Sequence, residues 1–197
     1  MSEPTGSNLN LANVLTSSRF VLIPLFGFLW WRGQGEQALV VFLIAVLTDI
    51  LDGFVARFFN QFSRLGAILD PAADKLLLLV GFIVGALVNV IPVWLAVFVI
   101  GRDVLVAIGA GLFAWVWRGR HDPEDWRPSR MGKTTMFIQS IAVALALFVD
   151  VFKPAAGRAW LSVILMMTAM MTLTSGVQYV LIGARALSRK PAAKGAA

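Results

Sequence analysis

The chain has 197 residues, 58% of them hydrophobic and only 14% charged. A soluble domain of that length needs more charge to cover its surface, so the composition points to a polytopic membrane protein built as one domain. The net charge of +6 comes from basic residues at the ends of apolar runs, where anionic headgroups and the positive-inside rule account for them without nucleic acid, and the lack of cysteine excludes disulfides and thiolate metal sites.

Residues 1–12 are polar, carry no basic segment and show no small-residue cleavage site, which argues against a secretory signal peptide. Apolar runs of helix length follow at 14–31, 37–59, 71–89, 91–117, 131–152 and 158–184. The expected fold class is therefore all-α, with six transmembrane helices in one domain over residues 1–187 and a disordered tail over 188–197. Several runs exceed the ~20 residues that a bilayer needs, so they must tilt or protrude.

The first run opens Asn13-Val-Leu15-Thr16-Ser17-Ser18-Arg19, with Pro24 further on. Ser17, Ser18 and Arg19 are too polar for a lipid face and are expected to turn inward. A membrane-interface anchor is the plainer alternative for Thr16 and Arg19.

The second run ends in Asp49-Ile-Leu-Asp52-Gly53-Phe-Val-Ala56-Arg57, and the third begins with Gly66-Ala-Ile-Leu-Asp70-Pro71-Ala-Ala-Asp74. At about 100° per residue, Asp49, Asp52, Gly53, Ala56 and Arg57 share one helical face. Two carboxylates and a guanidinium are then separated by residues almost without side chains, which lets something bulky approach the backbone. Asp70 and Asp74, at i and i+4, share a face as well. Because the residue before a proline avoids helical torsions, Asp70 is expected to be the N-cap of the third helix.

Four carboxylates converging in an apolar setting repel one another and take up protons unless cations compensate them. Hard oxygen ligands without Cys or clustered His suit Mg²⁺ or Mn²⁺, and two such ions match four carboxylates. Two metals beside a basic side chain suit phosphoryl transfer, in which a spare carboxylate takes the nucleophile's proton. The bland alternative pairs Asp49 or Asp52 with Arg57 and Asp74 with Lys75, but it leaves Gly53, Ala56 and Gly66 without a reason.

The pattern D-x2-D-G-x2-A-R-x8-G-x3-D-x3-D is met by Asp49, Asp52, Gly53, Ala56, Arg57, Gly66, Asp70 and Asp74, eight positions in 26 residues. It resembles the signature of the CDP-alcohol phosphotransferases. The resemblance implies an integral membrane enzyme with six transmembrane helices, usually a homodimer, that transfers a phosphatidyl or similar group from a CDP-linked donor to an alcohol and releases CMP. It further implies that Asp49, Asp52, Asp70 and Asp74 hold two divalent cations, that Asp74 is the base, and that Thr16, Asp52, Gly53, Ala56, Arg57 and Gly66 line the CDP pocket. The Asn13, Leu15, Thr16 and Arg19 opening is similar to that of many bacterial members, with Ala12 where a proline is common.

Two polar islands interrupt the later runs. Arg102 and Asp103 lie inside the fourth, near Gly101, Gly109 and Gly111. Adjacent residues point about 100° apart on a helix, so they make a poor pair with each other and each needs its own partner. One reading gives Arg102 the phosphate of the acceptor, the other a structural pair between helices.

The second island is Pro128-Ser-Arg130-Met-Gly132-Lys133-Thr-Thr135, with Gln139 beyond. It is not a P-loop, since Arg127 stands where the first glycine belongs and no strand precedes it. A helix N-terminus carrying Arg130 and Lys133 is still a ready phosphate site, with snorkelling positive-inside residues as the alternative. The run is similar to one in family members that act on glycerol phosphate or phosphatidylglycerol. His121, the only histidine, sits in a polar loop and is read as incidental.

Twelve basic residues flank the second connection, the fourth connection and the tail, against Arg32, Lys153 and Arg158 on the other side. This puts both termini and the aspartates on the cytoplasmic side of the inner membrane. The function expected is phosphatidyl transfer from CDP-diacylglycerol to glycerol 3-phosphate in phospholipid synthesis. The alternative acceptor is phosphatidylglycerol, which would give cardiolipin. A reading from another class, a cation or proton carrier using the same carboxylates, needs discontinuous or repeated half-structures that the sequence does not display.

Overall fold

The structure is a computed structural model and describes residues 11–58, 64–116 and 130–188. All the secondary structure among these residues is helical: α1 (Leu11–Trp31), α2 (Gly35–Phe58), α3 (Arg64–Leu87), α4 (Val93–Val116), α5 (Arg130–Phe152) and α6 (Gly157–Ser188). Two stretches, Thr134–Phe152 and Gly157–Leu181, are long and apolar enough to cross a membrane among the described residues.

Helix ends follow local backbone chemistry. Gly33 adopts φ 77° after α1, and the Gln34 and Gly33 amides donate to the Leu29 and Trp30 carbonyls at 2.9 and 3.0 Å. Asn89 does the same after α3 at φ 61°, with Val90 and Asn89 donating to Gly85 and Ala86. Both are left-handed caps that return the last carbonyls to partners, and glycine and asparagine tolerate that torsion best.

The described residues form two compact units, one drawn from residues up to 93 and from 143–161, the other from 94–142 and from 162 onward. In the first, Ile23, Phe26 and Trp30 of α1 are buried, as are Ala38, Phe42 and Ala45 of α2. Both sets repeat at helical spacing. Phe26 stacks at 5.4 Å from Phe42 and 5.7 Å from Trp30, and the Trp30 indole N–H donates to Asp150 at 2.8 Å. Close approach of α3 to α5 depends on Gly81, where a Cβ would stand 2.5 Å from Val143 Cγ1.

In the second unit, Leu95, Ala96 and Val99 of α4 are buried, and a polar seam joins α5 to α6. Gln139 donates to Thr172 at 3.3 Å, and the Thr135 hydroxyl lies 3.4 Å from the Met171 carbonyl. Large apolar side chains are exposed on all six helices, among them Val21, Leu47, Leu87, Val97, Phe137 and Met170. Such an exterior suits an apolar surrounding rather than water.

One expected boundary is wrong. Asp70 is not an N-cap, because α3 begins at Arg64 and carries Pro71 inside it. Proline there forfeits a single bond to the Ala67 carbonyl, and the helix continues through it. The pre-proline bias is a preference that packing overrides.

Candidate active site

α2 runs unbroken through Phe58, so Asp49, Asp52, Gly53, Ala56 and Arg57 keep the common helical register expected of them. α3 carries Asp70 and Asp74 one turn apart. The element that joins them was not foreseen in that role. Arg19 of α1 donates through Nη1 to Asp49 and, at 3.2 Å, to Asp74, and through Nη2 to Asp70 at 3.2 Å. Three carboxylates from two helices thus meet around one guanidinium.

Burial gives this cluster a direction. The Arg19 side chain is 3% exposed, whereas Asp49 and Asp70 are each 44% and Asp74 48% exposed. The guanidinium forms a floor and the carboxylates form an open rim. α1 puts Arg19 on the same face as buried Ile23, Phe26 and Trp30, a spacing visible in the sequence and enough to turn it inward. The interface-anchor alternative for Arg19 is thereby set aside.

Among the described residues, three carboxylates share this one guanidinium. Hard carboxylate oxygens with an open approach are the donor chemistry of Mg²⁺ or Mn²⁺. Among the described residues, no group of three or more acidic side chains surrounds a common point as the ligands of one ion would. The three are turned onto the arginine instead.

Arg102 and Asp103 correct a second expectation. They pair with each other at 2.5 Å, because a long guanidinium arm bridges the angle between neighbouring positions. Arg102 also donates to Ser175 and lies 5.3 Å above the Tyr179 ring, both on α6. Its Nε is buried without a partner. The side chains of Thr16, Asp52, Ala56, Arg57, Arg130 and Lys133, and all of His121, lie outside the described residues, although α5 does begin at Arg130. Gly53 and Gly66 lie within α2 and α3.

A sequence model of the CDP-alcohol phosphatidyltransferase family matches residues 9–175. The chain belongs to this family. Its relatives include rat cardiolipin synthase (CMP-forming), 34% identical over 86% of this chain and 60% of the relative. A probable phosphatidylglycerophosphate synthase of Mycobacterium tuberculosis is 34% identical over 90% of this chain and 82% of its own length. The CDP-diacylglycerol--glycerol-3-phosphate 3-phosphatidyltransferase of Aquifex aeolicus is 33% identical over 89% of this chain and 96% of its own. The chain spans about 60% of the length of the rat and human relatives, and most of the bacterial two. As a member of the CDP-alcohol phosphatidyltransferase family, it keeps Asp49, Asp70 and Asp74 of the signature together in space.

Proposed function

We propose that this chain is a phospholipid-synthesising transferase that moves a phosphatidyl group from CDP-diacylglycerol to glycerol 3-phosphate, releasing CMP and forming phosphatidylglycerophosphate. The observation that carries this reading is the convergence of Asp49, Asp70 and Asp74 on one buried guanidinium, with the carboxylates forming an open rim. The identity to bacterial glycerol-3-phosphate enzymes over most of their length supports the choice of acceptor.

Asp49, Asp52, Asp70 and Asp74 are the residues that would hold two divalent cations, Mg²⁺ or Mn²⁺. Such ions supply charge neutralisation and alignment of a pyrophosphate. Asp74 accepts the proton of the acceptor hydroxyl as its oxygen attacks the diacylglycerol-bearing phosphorus. The bond from that phosphorus to the bridging oxygen breaks, and CMP departs with the electron pair. Arg57 stabilises the charge that develops on the phosphates. Thr16, Gly53, Ala56 and Gly66 complete the CDP pocket. Arg102, Arg130 and Lys133 hold the acceptor phosphate, Arg102 through a guanidinium already oriented by Asp103 and Ser175.

Six transmembrane helices in the cytoplasmic membrane, with both termini and the carboxylates on the cytoplasmic side, complete the reading, and a homodimer is its assembled form. Exposed apolar side chains on every helix and the distribution of basic residues support it. A second reading, cardiolipin formation from phosphatidylglycerol, is favoured by the rat and human relatives.

Membranes bearing the chain, supplied with CDP-diacylglycerol, Mg²⁺ and labelled glycerol 3-phosphate, should release CMP and form a labelled lipid. Release with phosphatidylglycerol but not glycerol 3-phosphate moves the assignment to cardiolipin synthesis. No CMP with any alcohol sinks the transferase reading and leaves the ion carrier.

A further inference from the structure

Arg19 stands where three carboxylates would otherwise face one another, and its contacts make it more than a scaffold. Each of Asp49, Asp70 and Asp74 offers it a carboxylate oxygen, and its side chain is almost wholly buried beneath them. Any cation entering from the open rim must draw on the same carboxylates. We infer that Arg19 is a built-in counterion that holds the acidic cluster together and competes with the divalent cation for Asp49, Asp70 and Asp74. This rests on the proposed metal site.

The physical reason lies in the sign and reach of the charges. Without a compensating cation, three carboxylates a few ångströms apart repel strongly in a poorly hydrated setting. The planar fork of arginine spreads five donors over three nitrogens and so reaches carboxylates on different sides at once, where an ammonium offers three donors from a single nitrogen. A divalent ion arriving at the rim meets a fixed positive charge behind the ligands it needs. It must either displace the guanidinium from some oxygens or bind against its repulsion. Both routes lower metal affinity, and both set a threshold that keeps the cluster ordered at low metal.

A scaffolding role and a counterion role then differ in sign. If Arg19 only positioned the aspartates, removing it would weaken metal binding. If it competes, removing its charge tightens binding while lowering the stability of the metal-free protein. The test is Mn²⁺ titration of the purified full chain in detergent, without lipid substrate, following free Mn²⁺ by electron paramagnetic resonance, together with thermal unfolding in EDTA.

Arg19→Gln should bind Mn²⁺ about tenfold more tightly than wild type, the change expected when one nearby like charge is lost at a partly exposed site. Its unfolding temperature in EDTA should be lower than that of wild type and should be recovered by Mn²⁺. Equal or weaker binding by Arg19→Gln overturns the counterion role. If that variant cannot be purified, Arg19→Lys decides, since it keeps the charge but loses the fork. Arg19→Lys should bind Mn²⁺ more tightly than wild type by a smaller factor, and equal or weaker binding overturns the inference. Absence of saturable Mn²⁺ binding by the wild-type chain would instead overturn the metal site itself, and this inference with it.

Discussion

Two buried arginines invite comparison. Arg19 and Arg102 are 2% and 8% exposed, and each is held by acid and by residues of neighbouring helices. Arg19 meets three carboxylates from α2 and α3, whereas Arg102 meets one, its own neighbour Asp103, with Ser175 and the Tyr179 ring completing the contacts. Among the described residues, one cluster sets three carboxylates against a single guanidinium, and the other sets one against one. Burial of an arginine does not by itself mark a reaction centre, since a balanced pair can serve packing alone. Three carboxylates gathered on one guanidinium are what single out the first cluster.

The sharpest way to break this contrast is to remove divalent ions. Excess EDTA should reduce CMP release to background, and Mg²⁺ or Mn²⁺ should restore it; persistence in EDTA would make divalent ions irrelevant to catalysis. Asp74→Asn should lower the turnover rate by about 10²–10⁴-fold, the range for loss of a general base, measured as CMP release at saturating donor. At the balanced cluster the effects are smaller and of another kind. Arg102→Met should raise the KM for glycerol 3-phosphate more than it lowers kcat, and should cost about 1–3 kcal/mol of stability as Asp103 and buried Ser175 lose a partner. An unchanged KM would leave Arg102 a purely structural residue.

Two further variants compare the scaffolds around the clusters. Gly81→Ala forces a methyl to 2.5 Å from Val143 Cγ1 and should lower stability by about 1–3 kcal/mol in thermal unfolding. Gln139→Met should cost less than ~1 kcal/mol. The Gln139 Oε1 is buried without a partner, so the change removes an unsatisfied acceptor along with one 3.3 Å bond to Thr172.

The helices were legible because their boundaries are written in strong local terms. Gly33 and Asn89 end α1 and α3 where apolar runs stop, and the ends of α1 and α5 and the starts of α2 and α4 fall within about two residues of the expected ones, the usual uncertainty at helix ends. The start of α3 was not legible, because Pro71 is a strong local signal that tertiary packing outweighed. The grouping of Asp49, Asp70 and Asp74 was readable from their spacing. That Arg19 would join them was only half readable: periodicity turns it inward, but which acids it meets depends on how α1 seats against α2 and α3. The Arg102 and Asp103 pair was misjudged because helical angle describes where Cβ atoms point and ignores the length of an arginine arm.

The three-residue connection between α1 and α2, closed by Gly33, has a consequence for biosynthesis. Arg19 and Asp49 lie 30 positions apart along the chain yet at the same end of this hairpin. The hairpin leaves the ribosome ahead of α3, so the arginine can already be paired with its first aspartate. The later arrival of Asp70 and Asp74 is then what turns a single ion pair into an acidic cluster.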